Sequence, residues 1–292
     1  MSIDVLQEKI RKSKNPSVLN LCPTVQDIPG HILDAVPSAA EAMGVFCREL
    51  LSELKGVIPA VRFSFCCFSL LGPGGLEQLQ KTIAFAREHR YYVILDAPEI
   101  LSPEEAAYAS QMLLGECSGF ECDAVLISSY LGSDGMKPFL PYCKKDKKDL
   151  FVVCRTGNKS APELQDLLSG SRLVHGAAVD LVNRYTVGTI GKCGYAGVGV
   201  LVSAAAADSL RMLRGKYPQL FFLLDGYDYP NVNAKNCSVA FDKVGHGAVV
   251  CAGSSIFAAW KQTENQGADY LEQALASAER MKKNLLRYIS VL

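Results

Sequence analysis

Val93-Ile-Leu-Asp96-Ala-Pro98-Glu99-Ile-Leu-Ser102-Pro103-Glu104-Glu105 sets a strand, a loop and a helix start side by side. The apolar run Val93 to Leu95 ending in Asp96 reads as a buried parallel strand that delivers a carboxylate at its C-terminal end. Ser102 is placed to cap the helix that follows. Pro103 suits the first helical position and Glu105 completes an S-x-x-E capping box. In a βα unit of this kind the loop between strand and helix faces the site where chemistry is done.

The same alternation continues in both directions. Apolar, β-rich runs occupy Val18–Cys22, Ala60–Cys67, Tyr91–Asp96, Ala124–Ser128, Leu150–Arg155, Gly197–Ser203, Leu220–Asp225 and Ala248–Ala252. Helical patterns lie between them. Ser38 and Glu41 form a second capping box ahead of Met43, Phe46, Leu50 and Leu54, which share a face, and Gly56 ends that run. Gly74 to Arg90 carries Leu76, Leu79 and Ile83 at the same spacing, and from Ala268 onward Leu271, Leu275, Ala278, Met281 and Leu285 repeat it. Regular βα alternation over this length predicts an α/β fold, a (β/α)8 TIM barrel forming one domain over residues 1–292, with an N-terminal helix and a long C-terminal helix.

Composition excludes several classes. With 30 basic and 30 acidic residues the net charge is zero, which supplies no field for nucleic acid or an acidic membrane. No apolar run reaches the length of about 18 residues needed for a membrane span, and Met1 to Lys14 lacks a signal-peptide core, so a cytoplasmic protein is expected. The 11 cysteines contain no CxxC pair and only 4 histidines accompany them, which points to buried apolar thiols in a reducing compartment and to no metal. Cys66-Cys67 falls in a predicted strand, where neighbours point to opposite faces, and reads as core packing. His175 and His246 lack a partner at ligand spacing and read as ordinary surface or loop residues. Gly74-Gly75 lacks the spacing of a phosphate loop.

The strand C-terminal ends hold Asn20 and Cys22, Arg62 and Ser64, Asp96 and Glu99, Ser128 and Ser129, Arg155 with Thr156 and Asn158, Ser203, Asp225 with Tyr227 and Asp228, and Cys251 with Ser254 and Ser255. Asp96, Glu99, Asp225 and Asp228 could serve as acids, bases or Mg²⁺ ligands. Read structurally, Asp96 is a strand-end residue, Glu99 a solvated charge, and Asp225 and Asp228 are turn formers. Arg155-Thr156-Gly157-Asn158 reads equally as a ligand loop or as a loop held by its own side chains. Tyr227, Tyr229 and Leu101 are large enough to fill the rim.

Tyr130-Leu-Gly-Ser-Asp134-Gly-Met-Lys-Pro138-Phe-Leu-Pro141-Tyr and Leu150-Phe-Val-Val-Cys-Arg155-Thr156-Gly-Asn158-Lys resemble the NPYxGxDSxxP and FVLxRTSN motifs of the longer bacterial orotidine 5'-phosphate decarboxylases. Gly191-Lys-Cys-Gly-Tyr195, Phe221-Phe-Leu-Leu-Asp-Gly226-Tyr227 and Leu95-Asp96-Ala97 extend the resemblance to about Trp260. It implies the same barrel, a homodimer with paired active sites, no cofactor, and a pyrimidine nucleotide or another small phosphorylated ligand.

The resemblance also marks what is missing. Family members carry D-x-K-R-G-D-I after the third strand, where the lysine protonates the carbanion left by departing carbon dioxide. Asp96 is retained, but Pro98 stands in place of that lysine and Ile100 or Leu101 in place of the second aspartate. No lysine occurs between Lys81 and Lys137. Arg62 replaces the family lysine of the second strand and Cys22 the aspartate of the first; a guanidinium holds its proton too tightly to act as an acid at neutral pH. Ser128 and Ser129 replace Asn-Pro. The glycine-rich phosphate loop becomes Asp225-Gly-Tyr227-Asp228-Tyr229-Pro-Asn-Val232, and Ser254-Ser255 stands where an arginine should meet phosphate. Read with the family, Asp96, Arg62 and Pro98 mark the catalytic positions, and Ser128, Arg155, Thr156, Asn158, Tyr227 and Ser254 the ligand positions. A family member degenerate for decarboxylation is expected. The alternatives are an active decarboxylase with a displaced proton donor, a different enzyme, and a scaffold or regulatory partner of a true decarboxylase.

Overall fold

The computed structural model describes residues 2–116 and 118–292, so Cys117 and Met1 lie outside the described residues. Eight parallel strands close into a barrel: β1 (Ser17–Leu21), β2 (Ala60–Ser64), β3 (Tyr92–Asp96), β4 (Ala124–Ser128), β5 (Asp149–Arg155), β6 (Val198–Ser203), β7 (Phe222–Asp225) and β8 (Ala248–Ala252). Each pairs with its neighbour in sequence, and β8 closes on β1 through Ser17 opposite Val250. The expected (β/α)8 barrel is therefore the observed one.

Seven longer helices surround it: α1 (Ser2–Ser13), α2 (Ala39–Glu53), α3 (Gly72–Glu88), α4 (Pro103–Leu114), α5 (Val174–Asn183), α6 (Ala207–Lys216) and α7 (Tyr270–Leu286). Their starts follow the local chemistry. Ser102 Oγ accepts from Glu105 N at 3.2 Å, as expected of an N-cap. The return half of the box is displaced: Glu105 Oε2 accepts from Leu101 N at 2.7 Å, one residue ahead of the cap. At α2 Ser38 Oγ accepts from Glu41 N at 3.2 Å, and Ser38 is the half of that box the helix uses.

Two readings need correction. β2 stops at Ser64, whose side chain caps a short helix, Phe65–Ser69, so Cys66 and Cys67 are helical and not strand residues. Cys66 is exposed, and the Cys67 thiol donates to Pro23 O at 2.8 Å. His175 is 1% exposed and sits in the first turn of α5, so it is a core histidine and not a surface one. A small antiparallel hairpin, Leu168–Ser169 with Arg172–Leu173, went unpredicted.

The fully buried rings of Phe63, Phe151, Phe221 and Phe222 fill part of the core, with Phe151 and Phe221 edge to face at 6.2 Å. Gly199 permits this packing, since a Cβ there would lie 2.5 Å from Phe221 O and 2.9 Å from the Phe151 ring. The amphipathic face of α1, Ile3, Leu6 and Ile10, is wholly buried against the N-terminal end of the barrel. There Gln7 Oε1 accepts from Gly247 N at 3.2 Å, and the Tyr92 hydroxyl donates to Asp149. That end is thereby closed, which leaves the opposite rim, at the strand C-termini, as the open face. Among the described residues no helix is long and apolar enough to cross a membrane.

Candidate active site at the strand C-termini

Asn20 of β1 stands opposite Arg62 of β2, Ser64 opposite Asp96, and Ser203 opposite Asp225 in the strand register. The arginine organises the rim. Its Nε donates to Asp96 Oδ1 at 2.7 Å and an Nη to Asp96 Oδ2 at 2.8 Å, a bidentate pair in which the side chains are 11% and 21% exposed. The other Nη is buried without a hydrogen-bond partner, 4.0 Å from Asp225 Oδ2 on the far side of the barrel. Burial works against the charge of Arg62, but Asp96 and Asp225 overcome it and raise its pKa, so the group stays a cation at every accessible pH. Burial pushes the neighbouring thiols Cys22 and Cys251 up to about 11 and about 12, which keeps both protonated near neutrality.

The remaining carboxylates are committed separately. Asp225 Oδ1 accepts from Gly226 N at 2.7 Å. Asp228 Oδ2 accepts from Gly253 N at 2.7 Å, and its other oxygen takes the Ser255 hydroxyl, tying the β7 loop to the β8 loop. Glu99 is exposed. Among the described residues no group of three or more acidic, cysteine or histidine side chains converges in a way that could hold a metal. The loop after β3 runs on in extended form, Ala97 N donating to Leu126 O at 2.9 Å, and Pro98 follows half-buried with no donor of its own.

The residues read as ligand contacts divide into two groups. Thr156 and Asn158 lie at the rim and bond to each other at 2.6 Å, with Thr156 N donating to Gln165 Oε1 at 2.8 Å. Ser203 stands beside them, and the Tyr229 ring lies over Gly157 and Gly226: a Cβ at Gly157 would be 2.3 Å from both Ser203 Oγ and Tyr229 Cε2. Arg155 points elsewhere. It is 8% exposed and forms a bidentate pair with Asp166 at 2.8 Å for both bonds, and Asp166 also meets His175 Nδ1 at 3.1 Å. Tyr227 turns toward α7, where it bonds Asn284. Ser128 is exposed and takes Tyr130 N at 3.2 Å in a turn, and Ser254 is exposed at the start of the short helix Ser254–Phe257. Of the three side chains read as possible rim fillers, only Tyr229 covers it, since Leu101 is 68% exposed.

The Arg155–Asp166–His175 cluster was not visible in the sequence, because 11 residues separate Arg155 from Asp166 and no local pattern links them. Asn20, whose Oδ1 is buried without a partner, likewise gave no signal beyond its place on a strand.

A scan against known family models returned no match. Curated proteins do match along nearly the whole chain. The orotidine 5'-phosphate decarboxylase of Petrotoga mobilis is 27% identical over 281 residues, covering 94% of this chain and 96% of the relative. That of Clostridium perfringens is 27% identical over 287 residues, covering 98% of each. The chain is a homologue of the orotidine 5'-phosphate decarboxylases. Solved decarboxylase structures share its fold: that of Leishmania donovani superposes with a TM-score of 0.76 at 21% identity over 98% of both chains. The Methanocaldococcus jannaschii decarboxylase, solved in complex with the inhibitor BMP, gives 0.63 at 13% identity over 93% of this chain and 98% of its own.

Proposed function

We propose that this chain is a decarboxylase homologue that no longer decarboxylates orotidine 5'-phosphate, a pseudoenzyme on a retained barrel. One observation carries the reading. The retained carboxylate, Asp96, is saturated by the guanidinium of Arg62, and the loop beside it offers Pro98 where the family resemblance places a lysine. A general acid has to lie within about 3 Å of the atom it protonates, and must release its proton near neutral pH. Arg62 meets the first condition for a ligand seated over Asp96 and fails the second.

The phosphate end of such a ligand would fare no better. Asp225 and Asp228 stand on the β7 loop and Ser255 is bonded to Asp228, so a dianion would meet two carboxylates and no free cation from this loop. Charge-assisted contacts contribute about 1.5 to 3 kcal/mol each, so losing them weakens nucleotide binding by orders of magnitude. Any pyrimidine nucleotide is then held weakly, by the polar rim of Thr156 and Asn158. The exposed side chains Leu101, Tyr108, Met112 and Tyr130 support a homodimer that covers the α4 side of the rim. The unpaired thiols of the described cysteines fit a cytoplasmic location.

Release of carbon dioxide from carboxyl-labelled orotidine 5'-phosphate by the purified protein tests the reading. Release indistinguishable from a protein-free control is expected; turnover at an ordinary enzymatic rate, about 1 per second or faster, would overturn it.

A further inference from the structure

We propose that the barrel base, opposite the rim, carries a binding site for a small anion with two or more phosphoryl groups. The site is an open cavity of about 310 Å³ where α1, the α2–β2 loop and the α3–β3 loop meet. Lys9, Lys12, Lys55 and Arg90 line it over an apolar floor that includes Ile58 and Tyr91, and among the described residues no carboxylate lines it. In a chain whose net charge is zero, that concentration of one sign is a local feature and not a consequence of composition.

Helix termini alone do not account for these cations. Lysine and arginine are favoured in the last turn of a helix, where they meet the free carbonyls, and Lys12 stands there in α1; Lys9 lies a turn earlier and reaches across to bond Arg90 O beyond the end of α3. Arg90 differs. It occupies the left-handed position just beyond α3, with φ of 63°, where glycine is the usual residue. The Tyr91 N to Ala86 O bond of 2.9 Å closes the turn around it. A long cationic side chain held in a backbone conformation that disfavours it points to a use for its charge.

The neighbouring charges leave much of this potential uncompensated. Glu8 pairs with Lys12 at 3.2 Å and with Arg11 at 3.0 Å, and Asp123 acts on Lys9, which burial depresses below the usual lysine range. No ion pair is formed by Lys55 or by the Arg90 guanidinium among the described residues. Beneath the cations Ile58 and Tyr91 are 2% and 5% exposed, and the Tyr91 hydroxyl is engaged with Leu51 O at 2.6 Å, so the floor is closed and recognition falls to the cations. A chain of phosphoryl groups would span Lys55, Arg90 and Lys12.

Calorimetric titration of the whole protein with inorganic tripolyphosphate, and separately with ATP, tests the site. The variant Lys55→Gln/Arg90→Asn removes two cations while asparagine tolerates the left-handed backbone, so its melting temperature should match or exceed that of the parent. Saturable binding by the parent and loss of affinity of about a hundredfold or more in the variant are expected, since two charge-assisted contacts disappear. ATP and tripolyphosphate are expected to bind equally, since recognition rests on the phosphate chain. No binding by the parent at millimolar ligand would overturn it. So would an equal loss in Lys145→Gln/Arg211→Gln, whose charges lie elsewhere on the surface, because that outcome means ionic attraction without a site.

Discussion

Arg62→Ala is expected to destabilise the protein by about 3 kcal/mol, the lower end of the cost of removing one partner from a buried ion pair. The lower end applies because Asp96 is 21% exposed and Asp225 33%, so water relieves part of the penalty. For a chain of this size the melting temperature should fall by about 6 °C or more. Two companion variants separate charge from packing. Arg62→Lys keeps the cation and loses the fork, so it should cost less, whereas Arg62→Met with Asp96→Leu removes both charges and should recover most of the loss. Urea unfolding of the three proteins measures this; equal stability of the parent and Arg62→Ala would show that the pair contributes nothing to the rim.

The second large effect is a pH dependence centred on Asp149 at the base of β5. This carboxyl is 1% exposed, and burial pushes its pKa up to about 8 in spite of bonds from Tyr92, Ser2 and the α1 backbone. An unfolded aspartate titrates near 3.9, so between about pH 4 and pH 8 the folded state holds a proton that the unfolded state has released. Stability from this group is therefore greatest below pH 4, declines as pH rises, and levels off above pH 8. The slope is at most about 1.4 kcal/mol per pH unit, or roughly 3 kcal/mol between pH 5 and 7.5. Asp149→Asn keeps the shape without the proton and should flatten that part of the curve. Thermal unfolding of both proteins across this range decides it, and parallel curves would show that Asp149 does not titrate there.

The two sites differ in how far the sequence disclosed them. The strand ending at Asp96 and the Ser102 cap were legible because each depends on residues within a few positions of one another. Strand limits agreed to within a residue or two except at β2, where the apolar run Phe65-Cys66-Cys67 looked like continued strand. Ser64 ends it by capping a helical turn, and apolar residues buried in a short helix give no periodic signal to distinguish them. Asp149 was hidden for the opposite reason: it follows Lys144, Lys145, Lys147 and Lys148 and reads as part of a solvated charge run. Only the closure of the barrel base by α1 buries it.

At the rim, residue types were legible and pairings were not. Arg62 and Asp96 are 34 positions apart, and nothing local to either specifies that one saturates the other. Arg155 illustrates the same limit. Its place at the end of β5 suggested a ligand contact, but Asp166 and His175, brought back by the long segment before α5, turn it into a clasp on that segment. Thr156 and Asn158, next in sequence, remain at the rim.

The central claim is that the rim has no group able to exchange a proton with C6 of the pyrimidine. Microscopic reversibility makes this measurable without decarboxylation, because a donor that delivers a proton to C6 also removes one. Incubation of UMP with the purified protein in D2O, followed by proton NMR of the C6 signal, isolates that step. Loss of the signal no faster than in a protein-free control is the expected result; deuterium appearing at C6 only in the presence of the protein would contradict it.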